Sequence, residues 1–187
     1  MRDQASIVYR SIYLNGHEYC RAYTQNGRWY LSGTAVFLRD HKPTRLQYDI
    51  QCDSSWHTLN AKVLGQRGED EIDLAISVSA ERRWQLNDED QPGVHGCVDI
   101  DLNFSPSTNL LPIRRLNLSV GEQVSVKAAW LRFPSFKLEP LEQTYIRLAN
   151  NIYRYESAGG SFSAELTVNE FGLVTNYPGI WEEELSL

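Results

Sequence analysis

Cysteine, methionine and surplus positive charge are the scarce ingredients of this 187-residue chain, and each scarcity excludes something. Three cysteines, Cys20, Cys52 and Cys97, are odd in number and far apart. They form no C-x-x-C pair and no four-ligand zinc spacing, so a disulfide scaffold and a structural zinc site are both disfavoured. Buried, reduced thiols in a cytoplasmic protein are the expectation. No stretch approaches the roughly twenty apolar residues of a membrane-spanning helix. The opening Met1-Arg-Asp-Gln-Ala-Ser reaches polar residues at once and has no apolar signal core. Eighteen Lys and Arg stand against 24 Asp and Glu, a net charge of −6. Duplex nucleic acid, or an anionic membrane as main partner, is disfavoured because either needs a positive field.

Familiar catalytic and cofactor motifs are missing as well. There is no P-loop, dinucleotide-binding glycine fingerprint, EF-hand, H-E-x-x-H or G-x-S-x-G. No metal or cofactor is expected. The histidines His17, His41, His57 and His95 are scattered. His17-Glu18 follows a turn and reads as surface or hairpin. Asp53-Ser-Ser-Trp-His57 holds the residue types of a triad, but neighbours on one strand cannot readily assemble its geometry, so a bend is the better reading.

What the chain has in abundance is alternation. Ile72, Leu74, Ile76, Val78 and Ala80 fall on one face of an extended segment, with Asp73, Ala75, Ser77 and Ser79 on the other. The same period of two returns in Val98, Ile100, Leu102, Phe104 and in Phe162, Ala164, Leu166, Val168. Each is the signature of a strand with one apolar face. Further strands are expected at 7–14, 17–24, 28–39, 44–52, 56–65, 82–87, 123–133, 137–148, 152–158 and 171–177, separated by turns such as Asn26-Gly27 and Gly159-Gly160. About a dozen strands are too many for a flat sheet, so the expected fold is mainly β. It is an antiparallel meander curling into a barrel or half-barrel, with residues 1–187 as a single domain.

One segment breaks the pattern. In 105–116 Thr108 or Asn109 can cap a helix and Pro112 then sits in its first turn, while Leu110, Ile113 and Leu116 recur at helical spacing. A short helix and a polar loop both fit. The 137–148 stretch fits helix and strand alike, and Pro140 with the Asn150-Asn151 turn favours a hairpin.

Chemistry-bearing candidates lie on the strands and on this segment. Asp99 and Asp101 share one strand face, a spacing compatible with paired-carboxylate hydrolysis and equally with ion pairs to Arg114 or Arg115. The guanidinium fork of Arg114 or Arg115 also suits a phosphate or carboxylate headgroup. Twenty-one aromatic residues are spread over many strands. Trp56, Trp130, Tyr145 and Tyr155 are candidates to line an interior wide enough for a ligand, and a filled core would use the same rings.

Four blocks in order carry a family resemblance. The central one is Gly96-Cys-Val-Asp-Ile-Asp-Leu-Asn-Phe-Ser-Pro-Ser-Thr-Asn-Leu-Leu-Pro-Ile-Arg-Arg-Leu116. The others are Tyr48-Asp-Ile-Gln-Cys-Asp-Ser-Ser-Trp56, Tyr153-Arg-Tyr-Glu-Ser157 and Gly172-Leu-Val-Thr-Asn-Tyr-Pro-Gly-Ile-Trp181. Together they resemble the bacterial family called "putative glycolipid-binding", with a departure at His17-Glu-Tyr-Cys-Arg21, where Glu-His-Cys-Arg is typical. The resemblance implies a β-barrel-like fold wrapped around a central helix, distantly similar to carriers of bacterial lipoproteins and mycobacterial glycolipids. It implies no catalytic residues. It would place Leu110, Ile113 and Leu116 inside the sheet and bring Arg114 and Arg115 to Asp99 and Asp101. The expected function is therefore binding of a glycolipid or other acyl-bearing molecule. A hydrolase or isomerase using Asp99 or Asp101 at the barrel mouth is the second reading, and an interaction domain with a filled interior the third.

Overall fold

In the computed structural model residues 3–186 are described; Met1, Arg2 and Leu187 lie outside them, and with them the start of the polar N-terminal segment. The chain runs β1 (Gln4–Ser11), β2 (Gly16–Gln25), β3 (Arg28–Arg39), β4 (Lys42–Cys52), β5 (Thr58–Arg67), β6 (Asp70–Val78), β7 (Trp84–Leu86) and β8 (Glu89–Asp90). It continues through β9 (Asp99–Leu102), α1 (Leu110–Leu116), β10 (Gln123–Arg132), β11 (Lys137–Ala149), β12 (Ile152–Ser157), β13 (Phe162–Val168), β14 (Val174–Tyr177) and β15 (Trp181–Ser186). All fifteen strands belong to one sheet, ordered β8-β7-β6-β5-β4-β3-β2-β1-β15-β14-β13-β12-β11-β10-β9. The two terminal strands therefore pair in its middle, from Ile7 opposite Ser186 to Ser11 opposite Trp181. Every pairing is antiparallel except β9 with β10. Among the described residues, no helix is long and apolar enough to cross a membrane.

The alternation read from sequence becomes inside and outside. On β4, Leu46, Tyr48, Ile50 and Cys52 are buried while Arg45, Gln47 and Asp49 are exposed. The Asn26-Gly27 turn holds both residues at positive φ (52° and 72°), the conformation that a tight two-residue hairpin needs. Gly33 serves packing instead, since a Cβ there would collide with the Tyr48 ring and hydroxyl across the β3–β4 ladder. Pro140 is accommodated in β11 because the β11–β12 ladder begins only at Gln143, so no neighbour on that side asks for an N–H.

Two strands escaped the sequence reading. β8 is only two residues long. β15 carries Glu182, Glu183 and Glu184, which look like a solvated tail until Arg10 and His17 are placed beside them, with Arg10 on Glu182 and Glu184 and His17 on Glu184. The β9 alternation was also incomplete as a guide. Ile100 and Leu102 are buried, but Asp99 is buried too. Strands with both faces covered are typical of parallel pairings, and β9–β10 is the parallel pair.

The sheet is not closed into a barrel by a strand ladder: β8 and β9 are its two edges. Side chains lace the far halves together instead. Thr58 donates its N–H to the Val98 carbonyl at 3.3 Å, and its Oγ1 accepts the Ile100 N–H at 3.1 Å. The Arg82 guanidinium donates to the carbonyls of Cys97 (3.1 Å), Thr58 (2.8 Å) and Val98 (2.5 Å). Trp84 Nε1 also donates to Cys97 O, at 3.0 Å. Arg82→Ala leaves three carbonyls without these donors and should cost about 2 kcal/mol, read as a lowered urea midpoint. Arg82→Lys should recover only part of it, because an ammonium lacks the planar fork.

The 105–116 segment is helical from Leu110, preceded by a 3-10 turn over Ser107–Asn109. Neither Thr108 nor Asn109 caps the helix with its side chain. Thr108 Oγ1 accepts the Leu102 N–H, and the 3-10 turn feeds the first helical turn directly. Leu110, Leu111, Pro112 and Ile113 are buried, and Leu116 is half-buried. The helix packs on the Asn169–Leu173 turn, where Gly172 at φ +101° brings its backbone against Leu110, Ile113 and Arg114. Asn169 Oδ1 accepts three successive N–H groups there, of Phe171, Gly172 and Leu173, which holds the turn in shape.

Candidate functional site

Helix α1 meets the turn that joins β13 to β14, at one end of the strands. Toward the other end a cavity of about 490 Å³ remains, with Pro106 and Asn109 among its lining residues, from the helix's N-terminal approach. That volume is of ligand size. Trp130 and Leu141 form one wall; Tyr155, Phe162, Tyr177 and Trp181 form another. The rings pack edge to face, Tyr155 lying 6.1 Å from Phe162 and 6.3 Å from Tyr177. Tyr13, Arg39, Ala158 and Ile180 also line the cavity; each stands at or beside a hairpin connection, so the opening is on that side.

Against this apolar wall stands a polar group of side chains: Asp101, Asn103, Ser105, Asn109 and Ser157. Asp101 Oδ2 accepts a hydrogen bond from Gln143 Nε2 at 2.6 Å, and the same amide lies 3.1 Å from the Tyr155 hydroxyl. Burial pushes the Asp101 carboxyl up to about 6, against the opposing pull of the Gln143 hydrogen bond. Asp101 is the only carboxylate among the described residues lining the cavity.

The candidates from sequence separate into three places. Asp101, Trp130 and Tyr155 line the cavity. Tyr145 lies just behind, its hydroxyl donating to Asn109 Oδ1 at 2.8 Å and thereby orienting a lining residue. Asp99 does not share the cavity with Asp101. It is buried in a two-point ion pair with Arg115, Nε to Oδ1 at 3.0 Å and Nη2 to Oδ2 at 2.5 Å, which fastens α1 to β9. Arg114 and Trp56 are elsewhere again: the Arg114 guanidinium lies over Trp56 and Phe171, at 5.5 and 5.3 Å, and Trp56 stacks on Trp29 at 4.4 Å. The cavity's cation is thus Arg39, a hairpin-end residue without a sequence signal. Gln143 was equally silent and Asn109 stood out only as a candidate helix cap, whereas Phe162 stood on a strand's apolar face.

A second polar cluster sits behind the cavity wall. Ser105 Oγ donates to Glu18 Oε1 at 2.6 Å and the Tyr48 hydroxyl donates to the same oxygen at 2.5 Å. Ser107 Oγ lies 2.6 Å from both the Ser105 and Tyr48 hydroxyls. Glu18 Oε2 and the Tyr9 hydroxyl are buried without a hydrogen-bond partner among the described residues. Glu18, in the His17-Glu18 pair read as surface or hairpin, is fully buried within the β1–β2 hairpin, while neighbouring His17 is the exposed one. Burial raises the Glu18 carboxyl to about 7, although hydroxyl donors from Ser105 and Tyr48 work against the shift. Cys20, Cys52 and Cys97 are buried and unpaired, and burial pushes the Cys20 thiol to about 12 and Cys97 to about 11, so both stay protonated near neutrality. Asp53 closes its own bend by accepting the N–H groups of Ser55 and His57, at 2.8 and 2.9 Å.

Comparison with known proteins agrees with this architecture. A DUF1089 family protein from Pseudomonas aeruginosa, known from a crystal structure, is similar over 88% of this chain and 91% of its own, with 32% identity and a TM-score of 0.76. No curated protein matches the chain. The model of the family described as "Putative glycolipid-binding" matches residues 6–183. With nearly its whole length matched, the chain belongs to the putative glycolipid-binding family.

Proposed function

We propose that this protein binds a glycolipid or related acyl-bearing amphiphile in the 490 Å³ cavity, within a half-barrel wrapped around α1. One observation carries the reading: a single cavity joins an apolar aromatic wall to a cluster of carboxylate, amide and hydroxyl groups. Carboxylates and amides suit sugar hydroxyls, rings suit sugar faces and acyl chains, and Arg39 suits an anionic headgroup at the mouth. Each buried methylene contributes about 0.8 kcal/mol, so six of them reach about 5 kcal/mol before any polar contact. The family description supports a ligand of this type. Three buried thiols support a reducing compartment, and we place the protein in the cytoplasm. Paired-carboxylate hydrolysis lacks its second partner here, because Arg115 holds Asp99 apart from the cavity.

Titration with a fluorescent fatty acid tests the assignment. The wild type should take up about one probe per chain, and Leu141→Trp, which fills the cavity, should weaken uptake at least tenfold. Equal uptake by both proteins would place the ligand elsewhere. With a glycosylated lipid as competitor, affinity should fall as pH drops through about 6, where Asp101 gains its proton and ceases to be a charged acceptor. Asp101→Asn should flatten that dependence.

A further inference from the structure

The polar side of the cavity leads to a strand end. Asp101 is held by Gln143, and Gln143 stands directly opposite Ser157, the last residue of β12. There β12 stops, while β11 extends from Gln143 back to Lys137 with no strand on that side among the described residues. The Ala158–Gly160 turn packs against β11 in place of the missing strand. Side chains alternate across the sheet, so Leu141 faces the cavity and Glu142 stands on the opposite face.

On that opposite face of β10, β11 and β12 lies a second hollow, a groove of about 460 Å³. Ser125, Thr144 and Glu156 form one row across its floor, in register, and Lys127 and Glu142 form the next. The hydroxyls of Ser125 and Thr144 lie 2.9 Å apart. Lys127, Glu142 and Glu156 enter no ion pair among the described residues. Groove and cavity are neighbours across the end of β12. Ser157 lines both; Leu141 and Ala158 line the cavity, and the next residues along, Glu142 and Gly159, line the groove.

We propose that this groove is a sugar subsite for the amphiphile's headgroup. The acyl chain lies in the cavity, a first sugar meets Asp101, and a second sugar passes Ser157 to reach Glu142, Glu156, Lys127 and the two hydroxyls. This rests on the reading of the cavity as a site for an acyl-bearing ligand, and it names the headgroup class: an uncharged disaccharide or longer glycan. Sugar hydroxyls both donate and accept. The groove answers with carboxylates that only accept, an ammonium that only donates, and hydroxyls that do both. Two carboxylates against one ammonium disfavour a phosphate or sulfate there, because like charges repel. Polar strand faces are common; this one is singled out because the cavity's polar row ends at its edge.

Displacement of the fluorescent fatty acid from the full-length protein by two alkyl glycosides tests this. Octyl glucoside and octyl maltoside share one chain and differ by one sugar, and both are used below their micelle-forming concentrations. Octyl maltoside should displace the probe from the wild type at about tenfold lower concentration, the effect of one or two added hydrogen bonds to charged groups. Glu142→Ala/Glu156→Ala removes both carboxylates, and Ser125→Arg lays a long side chain across the groove. Each should reduce the preference to about twofold or less while keeping the melting temperature and the uptake of the probe. Equal displacement by the two glycosides in the wild type, or a tenfold preference that survives in both variants, overturns the subsite and leaves the cavity reading standing. Loss of probe uptake in both variants at an unchanged melting temperature also overturns it, since these residues would then serve the acyl chain. A wild type that takes up no probe removes the cavity reading, and the subsite falls with it.

Discussion

Asp99→Asn should destabilise the protein by about 3–5 kcal/mol, measured as a fall in the urea unfolding free energy. The carboxylate is 1% exposed and accepts from two nitrogens of Arg115, whose side chain is 14% exposed. Asparagine can accept one of these hydrogen bonds, but its amide nitrogen then faces the other guanidinium nitrogen, donor against donor. The guanidinium is left in a poorly solvated place with half its partner gone. The loss is large because desolvation of the survivor is no longer compensated, not because the intact pair contributes that much. Asp99→Asn combined with Arg115→Gln should therefore cost less than the sum of the single changes. A shift below 1 kcal/mol for Asp99→Asn, with lipid uptake abolished, would instead make Asp99 a ligand contact.

Glu18 should make stability fall as pH rises from about 4.5 to about 7. Its carboxyl is raised by burial from the ordinary 4.5 to about 7, so across that interval the unfolded chain releases a proton that the folded chain retains. The sign follows: this residue's contribution is most favourable below about 4.5, declines through the interval, and is constant above about 7, where both states are ionised and only the folded one holds a buried charge. A shift of about 2.5 pH units corresponds to about 3 kcal/mol. Glu18→Gln keeps the acceptor that Tyr48 and Ser105 use and cannot titrate. Its stability relative to wild type should rise by about 3 kcal/mol between pH 4 and pH 8. Asp101 titrates in both proteins and cancels in the comparison. A difference independent of pH would show that Glu18 does not titrate in this range.

These two carboxylates also show what the sequence made legible. The pairing of Asp99 with an arginine of the 105–116 segment follows from a short strand running into a short helix, a local arrangement. That Asp101, two residues on and on the same strand face, belongs to a different environment depends on where the helix lies, and period-two alternation has no information on that. The hairpin position of Glu18 was legible but its burial was not, because its surroundings come from β4 and from Ser105 and Ser107, remote in sequence. By alternation with Cys20 and Ala22 it falls on the buried face, but a carboxylate there is unusual and needs partners to be believed. Trp56 illustrates the other difficulty. A tryptophan packed on Trp29 and one lining a cavity, as Trp130 does, look the same in sequence. Strand positions were readable because sheet patterning is local, whereas β15 was hidden by three glutamates, two of which, Glu182 and Glu184, find their partners on β1 and β2.

The central claim is that the space between α1 and the hairpin ends holds an amphiphile. Solvent extraction of the purified full-length protein, followed by mass spectrometry of the extract, tests it most directly. An acyl-bearing lipid recovered at close to one per chain from the wild type, and strongly depleted from Leu141→Trp prepared in parallel, is the expected result. A lipid-free wild type that also refuses the fluorescent fatty acid, or equal lipid from both proteins, would contradict it.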